Sequence, residues 1–238
     1  MDLIQALAAE LGKDPRHVEN VVHLLDEGNT IPFIARYRKE LHGAMDDTSL
    51  RTLEERLQYL RGLEERREAV KKSIDEQGKL TDELAAAIDS AKTLAEVEDL
   101  YRPYKQKRRT RATMAKEKGL EPLAALLFAQ ERDCPRPEEA ARDFVDPEKG
   151  VETVEDALQG ASDIIAEQIS DDAAIRKSLR ALISRQGQLV SRAATEDDSV
   201  YRLYYDFTQS VARLQGHQVL AINRGEKAVS YTHLRAHE

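Results

Sequence analysis

Tryptophan is absent from this 238-residue chain, and aromatic residues make up only 5% of it. There is a single cysteine, Cys134. That excludes a disulfide framework and a cysteine metal cluster, and it points to a reducing compartment such as the cytoplasm. No apolar run approaches the ~20 residues that a membrane-spanning helix needs. The opening MDLIQALAAE carries acids where a secretion signal carries bases. Glycine and proline are scarce, at 11 and 7 residues, which fits poorly with turn-rich sandwiches and barrels. Phosphate loops, Gly-rich dinucleotide turns and nucleophile elbows are missing. What is left is a cytoplasmic, helix-rich protein for which no enzymatic activity, metal, small-molecule cofactor or membrane contact is expected.

Charge is what the chain has in abundance. Asp, Glu, Lys and Arg make up 34% of it, and the net charge is −8. The imbalance lies in the second half: residues 1–120 carry −1 and residues 121–238 carry −7. An acidic second half disfavours phosphate-backbone binding there.

Hydrophobic spacing predicts an all-α fold. A first helix covers Leu3–Leu11. Asp14-Pro15 starts a second, with a capping side chain before a proline at the first helical position, and it ends near Gly28-Asn29. IPFIARYRKE from Ile31 makes a third, giving a helix-turn-helix-like unit. Asp47 then caps a long helix to about Gln77, closed by Gly78. Leu50, Leu53, Leu57, Leu60, Leu63, Val70 and Ile74 form one stripe along this amphipathic rod of roughly 45 Å. The stripe weakens at Glu64 and Arg67, which argues for packing within the chain over a two-chain coiled coil. Glu68 and Lys72 are spaced as an i,i+4 pair.

Thr81 starts a helix to Ala91, and Thr93 with Glu96 forms a capping box for the next, ending near Tyr101. Further helices are predicted at 111–118, 121–130, 137–144 and 151–186, the last broken near Gly160 or Ser170. Gln188–Thr195 favours a strand, Val200–Phe207 has helical spacing, and a final helix runs from about His217 to Arg224. The central region therefore has at most one or two short strands. The best boundary is the loop at 102–112.

Candidate sites are few. Lys105, Lys107, Arg108, Arg109 and Arg111 form a basic loop that could sit on phosphates. The plainer reading is a solvated loop paired with Glu98 and Asp99. Only Tyr101 and Tyr104 are near enough to stack a base. Arg36, Arg38 and Lys39 could face a nucleic-acid groove, but Ile31, Phe33, Ile34 and Tyr37 make that helix read as core. Tyr201, Tyr204, Tyr205 and Phe207 also read as core. The acid pairs Asp46/Asp47, Asp171/Asp172 and Asp197/Asp198 suit helix starts better than catalysis. His233, His237 and Glu238 have zinc-compatible spacing in a tail with nothing after it to hold a metal.

LLDEGNTIPFIARYRKE (24–40) and DDTSLRTLEERLQYLRGLEERREAVKKSIDEQGKLT (46–81) resemble the N-terminal region of the bacterial Tex proteins, a family of RNA-binding transcription accessory proteins. EDLYRPYKQKRRTRATMAKEKGLEPLA (98–124), FVDPEKGV (144–151), RQGQLVSR (185–192), YRLYYDF (201–207) and INRGEK (222–227) continue the likeness. Gln106 stands where the family has proline, and Ala44-Met45 where Gly-Leu is usual. The ending AVSYTHLRAHE does not resemble the family and looks like translated adapter read-through. The resemblance implies an N-terminal domain over 1–104, a partial helical central region over 105–228 and a non-native tail over 229–238.

It further implies a longer parent with a ribonuclease-H-like domain, helix-hairpin-helix motifs and an OB-fold that binds RNA. The expected role of this region is a scaffold that positions those modules. RNA or other nucleic acid, and the transcription or translation machinery, are then partners of the full-length parent. A stand-alone helical interaction adaptor and direct nucleic-acid binding through loop 105–111 remain the alternatives.

Overall fold

The computed structural model describes residues 3–132, 134–193 and 200–227, with the backbone of 235–237. The chain divides into two compact units, Met1–Tyr104 and Lys105–Glu238. Helix dominates both, as the spacing of apolar residues predicts.

The first unit is built from α1 (Leu3–Leu11), α2 (Pro15–Asp26), α3 (Ile31–Tyr37), α4 (Asp47–Asp75), α5 (Asp82–Ser90) and α6 (Leu94–Tyr101). A 3-10 turn over Arg102–Tyr104 follows. The helix starts follow the capping chemistry of the sequence. Asp14 accepts from the Arg16 backbone N–H at 2.8 Å ahead of Pro15. Asp46, one residue earlier than expected, caps α4 through the Ser49 N–H at 2.8 Å. Thr93 accepts from the Glu96 N–H, but the Glu96 carboxylate returns to the Lys92 N–H instead of Thr93.

The α4 stripe closes within this unit. Leu50, Leu53, Leu57, Leu60, Leu63, Val70 and Ile74 are buried in one core with Leu7, Val18, Val21, Ile34, Ile88 and Val97. Arg67 fills the gap in the stripe and is itself buried. On the outer face, Glu68 pairs with Lys71 rather than Lys72, and the same ammonium reaches Asp89. These two carboxylates hold the Lys71 ammonium above its usual pKa.

Helix α3 stops at Tyr37, three residues short of the expected end. The chain then turns through Gly43 and Ala44, both left-handed at φ of 59° and 56°. A Cβ on Gly43 would lie 2.2 Å from His17 Nδ1, so only glycine fits there.

The second unit holds α7 (Arg111–Glu117), α8 (Glu121–Ala129), α9 (Pro137–Ala141), α10 (Val154–Asp171), α11 (Ala173–Gln186) and α12 (Gly216–Lys227). Its core joins Ala112, Ala115, Leu120, Leu123, Ala141, Val151, Ala157, Ala161 and Ile164. Gly160 does not break the helix. It lies inside α10, where a Cβ would come 2.3 Å from Leu120 Cδ1, so the glycine admits a close helix–helix approach. The break falls at Asp172, which ends α10 and caps α11 through the Ile175 N–H at 2.7 Å.

Strand β1 (Gln188–Arg192) pairs antiparallel with β2 (Asp206–Ser210), in register from Gln188↔Ser210 to Arg192↔Asp206. The three-residue β3 (Arg235–His237) lies antiparallel on the other side of β1. The expected helix over Val200–Phe207 is a 3-10 turn, Arg202–Tyr204, leading into β2. Pairing with β1 overrides the helical spacing there. Apart from the β3 backbone, residues 228–238 lie outside the described residues, and with them most of the tail expected over 229–238.

Candidate nucleic-acid interface

The basic loop opens the second unit and runs into α7, whose start is set by a capping box. Thr110 Oγ1 accepts from the Thr113 N–H at 3.0 Å, and Thr113 Oγ1 accepts from the Thr110 N–H at 2.6 Å. This box fixes the direction in which the preceding residues enter the helix.

The five cations are not equivalent. Lys107 turns back onto α10, where its ammonium pairs with Asp171 and lies 3.4 Å from Glu167 Oε1. Its side chain is only 27% exposed. The Thr110 hydroxyl donates to the same Glu167 oxygen at 3.0 Å, so the carboxylate ties loop, cap and α10 together. Arg109 pairs with Glu117 at 2.9 Å, but both side chains remain largely in solvent. Lys105, Arg108 and Arg111 are exposed and have no acid partner among the described residues.

The pairing expected with Glu98 and Asp99 is replaced by this set. Glu98 pairs instead with Arg66 at 2.6 Å, and Asp99 is buried. Tyr101 and Tyr104 are taken up within the first unit. Ser73 Oγ and the Tyr101 hydroxyl share a hydrogen bond of 3.0 Å, and Gln77 donates to the Tyr104 carbonyl at 3.0 Å. Both rings are partly buried against the core of the first unit, so neither is a free stacking platform.

The acid pairs have structural partners. Asp46 caps α4, and its hydrogen bonds from Ser49 hold its carboxyl below the usual range. Asp47 pairs with Arg51 at 2.8 Å. Asp171 meets Lys107, and Asp172 is a helix cap. Asp197 and Asp198 lie outside the described residues, as do the side chains of His233, His237 and Glu238. Among the described residues, no group of three or more His, Cys, Asp or Glu could hold a metal ion. No described helix is long and apolar enough to cross a membrane.

Two aromatic groups differ from their expected core placement. Tyr201, Tyr204, Tyr205 and Phe207 are half-buried and outside both buried cores, with Tyr204 edge-on to Phe207 at 5.3 Å. On α3, Ile31 and Ile34 are buried, but Tyr37 is 56% exposed. Helical spacing places Tyr37 on the side of Phe33, one turn before it, and off the inward face of Ile31 and Ile34.

Two family models match separate stretches of the chain. Residues 1–75 match the Tex-like protein N-terminal domain, and residues 133–231 match the Tex central region-like family. The chain is 48% identical over 229 residues to the uncharacterized protein YdcI of Bacillus subtilis, covering 94% of this chain and 32% of that protein. It is 43% identical over 230 residues to the transcriptional accessory protein Tex of Neisseria gonorrhoeae, covering 94% and 30%. To the human S1 RNA-binding domain-containing protein 1 it is 31% identical over 236 residues, covering 94% and 23%. The chain thus spans about a third or less of the length of these relatives. With collinear matches to both regions, the chain belongs to the Tex family.

Proposed function

We propose that this chain acts as the helical scaffold of a nucleic-acid-binding transcription accessory protein and has no catalytic role of its own. One observation carries the reading. The long α4 stripe is consumed inside its own unit, giving a stiff rod with a charged outer face. Such a rod sets distances between modules and offers little apolar surface for recognition. The relatives named for transcription and for RNA binding are about three times as long or longer, which supports placing the binding modules outside this region.

Titration of labelled single-stranded RNA tests it, with this chain beside the full-length Neisseria gonorrhoeae relative. The scaffold reading expects the chain to bind at least 10-fold more weakly. Equal affinity would overturn it.

A second reading is direct binding through the basic loop, favoured by the exposed Lys105, Arg108 and Arg111. A third is an interaction adaptor, favoured by α11, where Ile175, Leu179, Leu182 and Ile183 are all exposed.

A further inference from the structure

Helix α3 ends in a small surface cluster of aromatic and cationic side chains. The rings of Phe33 and Tyr37, one helical turn apart, lie 5.2 Å apart at 46°. The Arg38 guanidinium sits 5.3 Å from the centre of the Phe33 ring, on a side chain that also donates from Nη1 to the Tyr37 carbonyl at 3.2 Å. Arg36 and Lys39 flank this cluster and are exposed. None of these three cations has an acid partner among the described residues, although most other arginines of this unit do. Glu40 is the only acid in the stretch 31–40.

A lone exposed tyrosine needs no explanation. Here the open ring is braced by a second ring, beside a guanidinium placed over that second ring and two further cations. Stacked arginine keeps its outer N–H edges free for phosphate. An open tyrosine face accepts an unpaired base of any sequence. Together they offer what a single-stranded nucleic acid requires, a stacking surface beside charges for the backbone. A duplex, with its bases already stacked on one another, could use only the charges.

We infer that Phe33, Tyr37 and Arg38, with Arg36 and Lys39, form a contact site for single-stranded nucleic acid on the first unit, apart from the basic loop. This rests on the reading of the protein as nucleic-acid binding, but on residues that the loop reading does not use.

The test is fluorescence anisotropy of the whole 238-residue chain with a labelled 12-nucleotide oligo(U) in low salt. Parallel arms use oligo(dT) and a duplex of equal length. Both single strands should bind more tightly than the duplex. Tyr37→Ala should weaken single-strand binding about 5- to 100-fold, while Tyr37→Phe, which keeps the ring, stays within about 2-fold. Arg36→Ala with Lys39→Ala should lower the slope of log Kd against log salt by about 1.4. A melting curve for each variant confirms the fold, which a surface tyrosine should leave unmoved. Binding unaffected by Tyr37→Ala, a duplex bound as tightly as a single strand, or no binding by the unaltered chain would each overturn the site. If Lys105→Ala with Arg108→Ala abolishes binding and Tyr37→Ala does not, the loop reading stands and this site fails. The reverse result supports this site and removes the loop.

Discussion

Arg67 donates from Nη2 to the carbonyl oxygen of Ala91 across 2.6 Å, deep in the first unit. Nη1 of the same guanidinium meets Glu64 Oε2, also at 2.6 Å. Ala91 is the residue after α5, at the point where helix carbonyls lose their in-helix partners. The arginine thus fills the one polar gap in the α4 stripe with an apolar stem and ends on a backbone acceptor that water cannot reach. With 2% of its side chain exposed, it acts as a core residue that carries a charge.

Its removal should therefore cost more than a surface ion pair. Arg67→Ala leaves a cavity and an unpaired carbonyl, which predicts a loss of about 3 kcal/mol. Arg67→Met restores the stem but not the donor, which predicts a loss of about 1–2 kcal/mol. Urea unfolding followed by far-ultraviolet dichroism measures both. Equal losses for the two variants would mean that the apolar stem contributes nothing and that the lost hydrogen bond to Ala91 carries the whole effect.

The stripe itself can be tested directly. Leu57 and Leu60 are both buried in the first core. Leu57→Asp together with Leu60→Asp places two carboxylates in apolar surroundings, each costing several kcal/mol. That exceeds much of a typical domain's stability, so the first unit should unfold at room temperature. A melting curve that does not move would remove the packing account of α4.

The turn after α3 offers a stabilising change. Ala44 holds φ at 56°, a conformation that costs an ordinary residue roughly 1–2 kcal/mol. The family resemblance expects glycine at this position. Ala44→Gly relieves the strain, while added freedom in the unfolded chain offsets about 0.4–1 kcal/mol of the gain. The expected net gain is about 0.5–1 kcal/mol, read as a higher urea midpoint at unchanged slope.

These particulars show what a linear sequence reveals. Caps at Asp14, Thr81, Thr93 and the start of α4 are readable because donor and acceptor lie within three residues. The α4 stripe is readable because helical period and burial coincide. Gly160 misleads because its reason is Leu120, forty positions earlier, and not the local helix. The loop cations mislead in the same way. Acids adjacent in sequence are the natural guess, yet the Lys107 partner Asp171 is 64 residues away. Tyr37 reads as core on composition alone, whereas its helical position sets it beside Phe33 and away from the buried face of Ile31 and Ile34. Candidate sites suffer most, since they depend on which side chains the fold leaves unused.

Acid should weaken the first unit through its paired carboxylates. Asp26 accepts two hydrogen bonds from Arg61 at 2.7 and 2.8 Å, and these hold its carboxyl below the usual range. A folded-state pKa below the unfolded value means stability that is fully present above the unfolded value of about 4. It is lost as pH falls through the folded value. Both side chains are nearly half exposed, so solvent screens the pair to roughly 0.5 kcal/mol. Asp26→Asn should lower stability by that amount at pH 7 and by nothing at the acid end of the transition. A constant difference across that range would assign the loss to packing.

The basic loop can be divided by stability measurements before any ligand is added. Lys107 sits between Glu167 and Asp171, whose side chains are 22% and 13% exposed. Lys107→Ala removes the cation that these two carboxylates share, a loss of about 1–2 kcal/mol in the second unit. Lys105→Ala and Arg108→Ala remove charges with no acid partner among the described residues, so stability should change by less than about 0.5 kcal/mol. Thermal melting of the three variants at one pH decides it. If Lys107→Ala melts with the unaltered chain, the lysine is not structural and returns to the set available for phosphate. If it melts lower while the other two do not, only Lys105, Arg108 and the exposed Arg109 and Arg111 remain for a backbone, and the loop is a weaker electrostatic site than its five cations suggest.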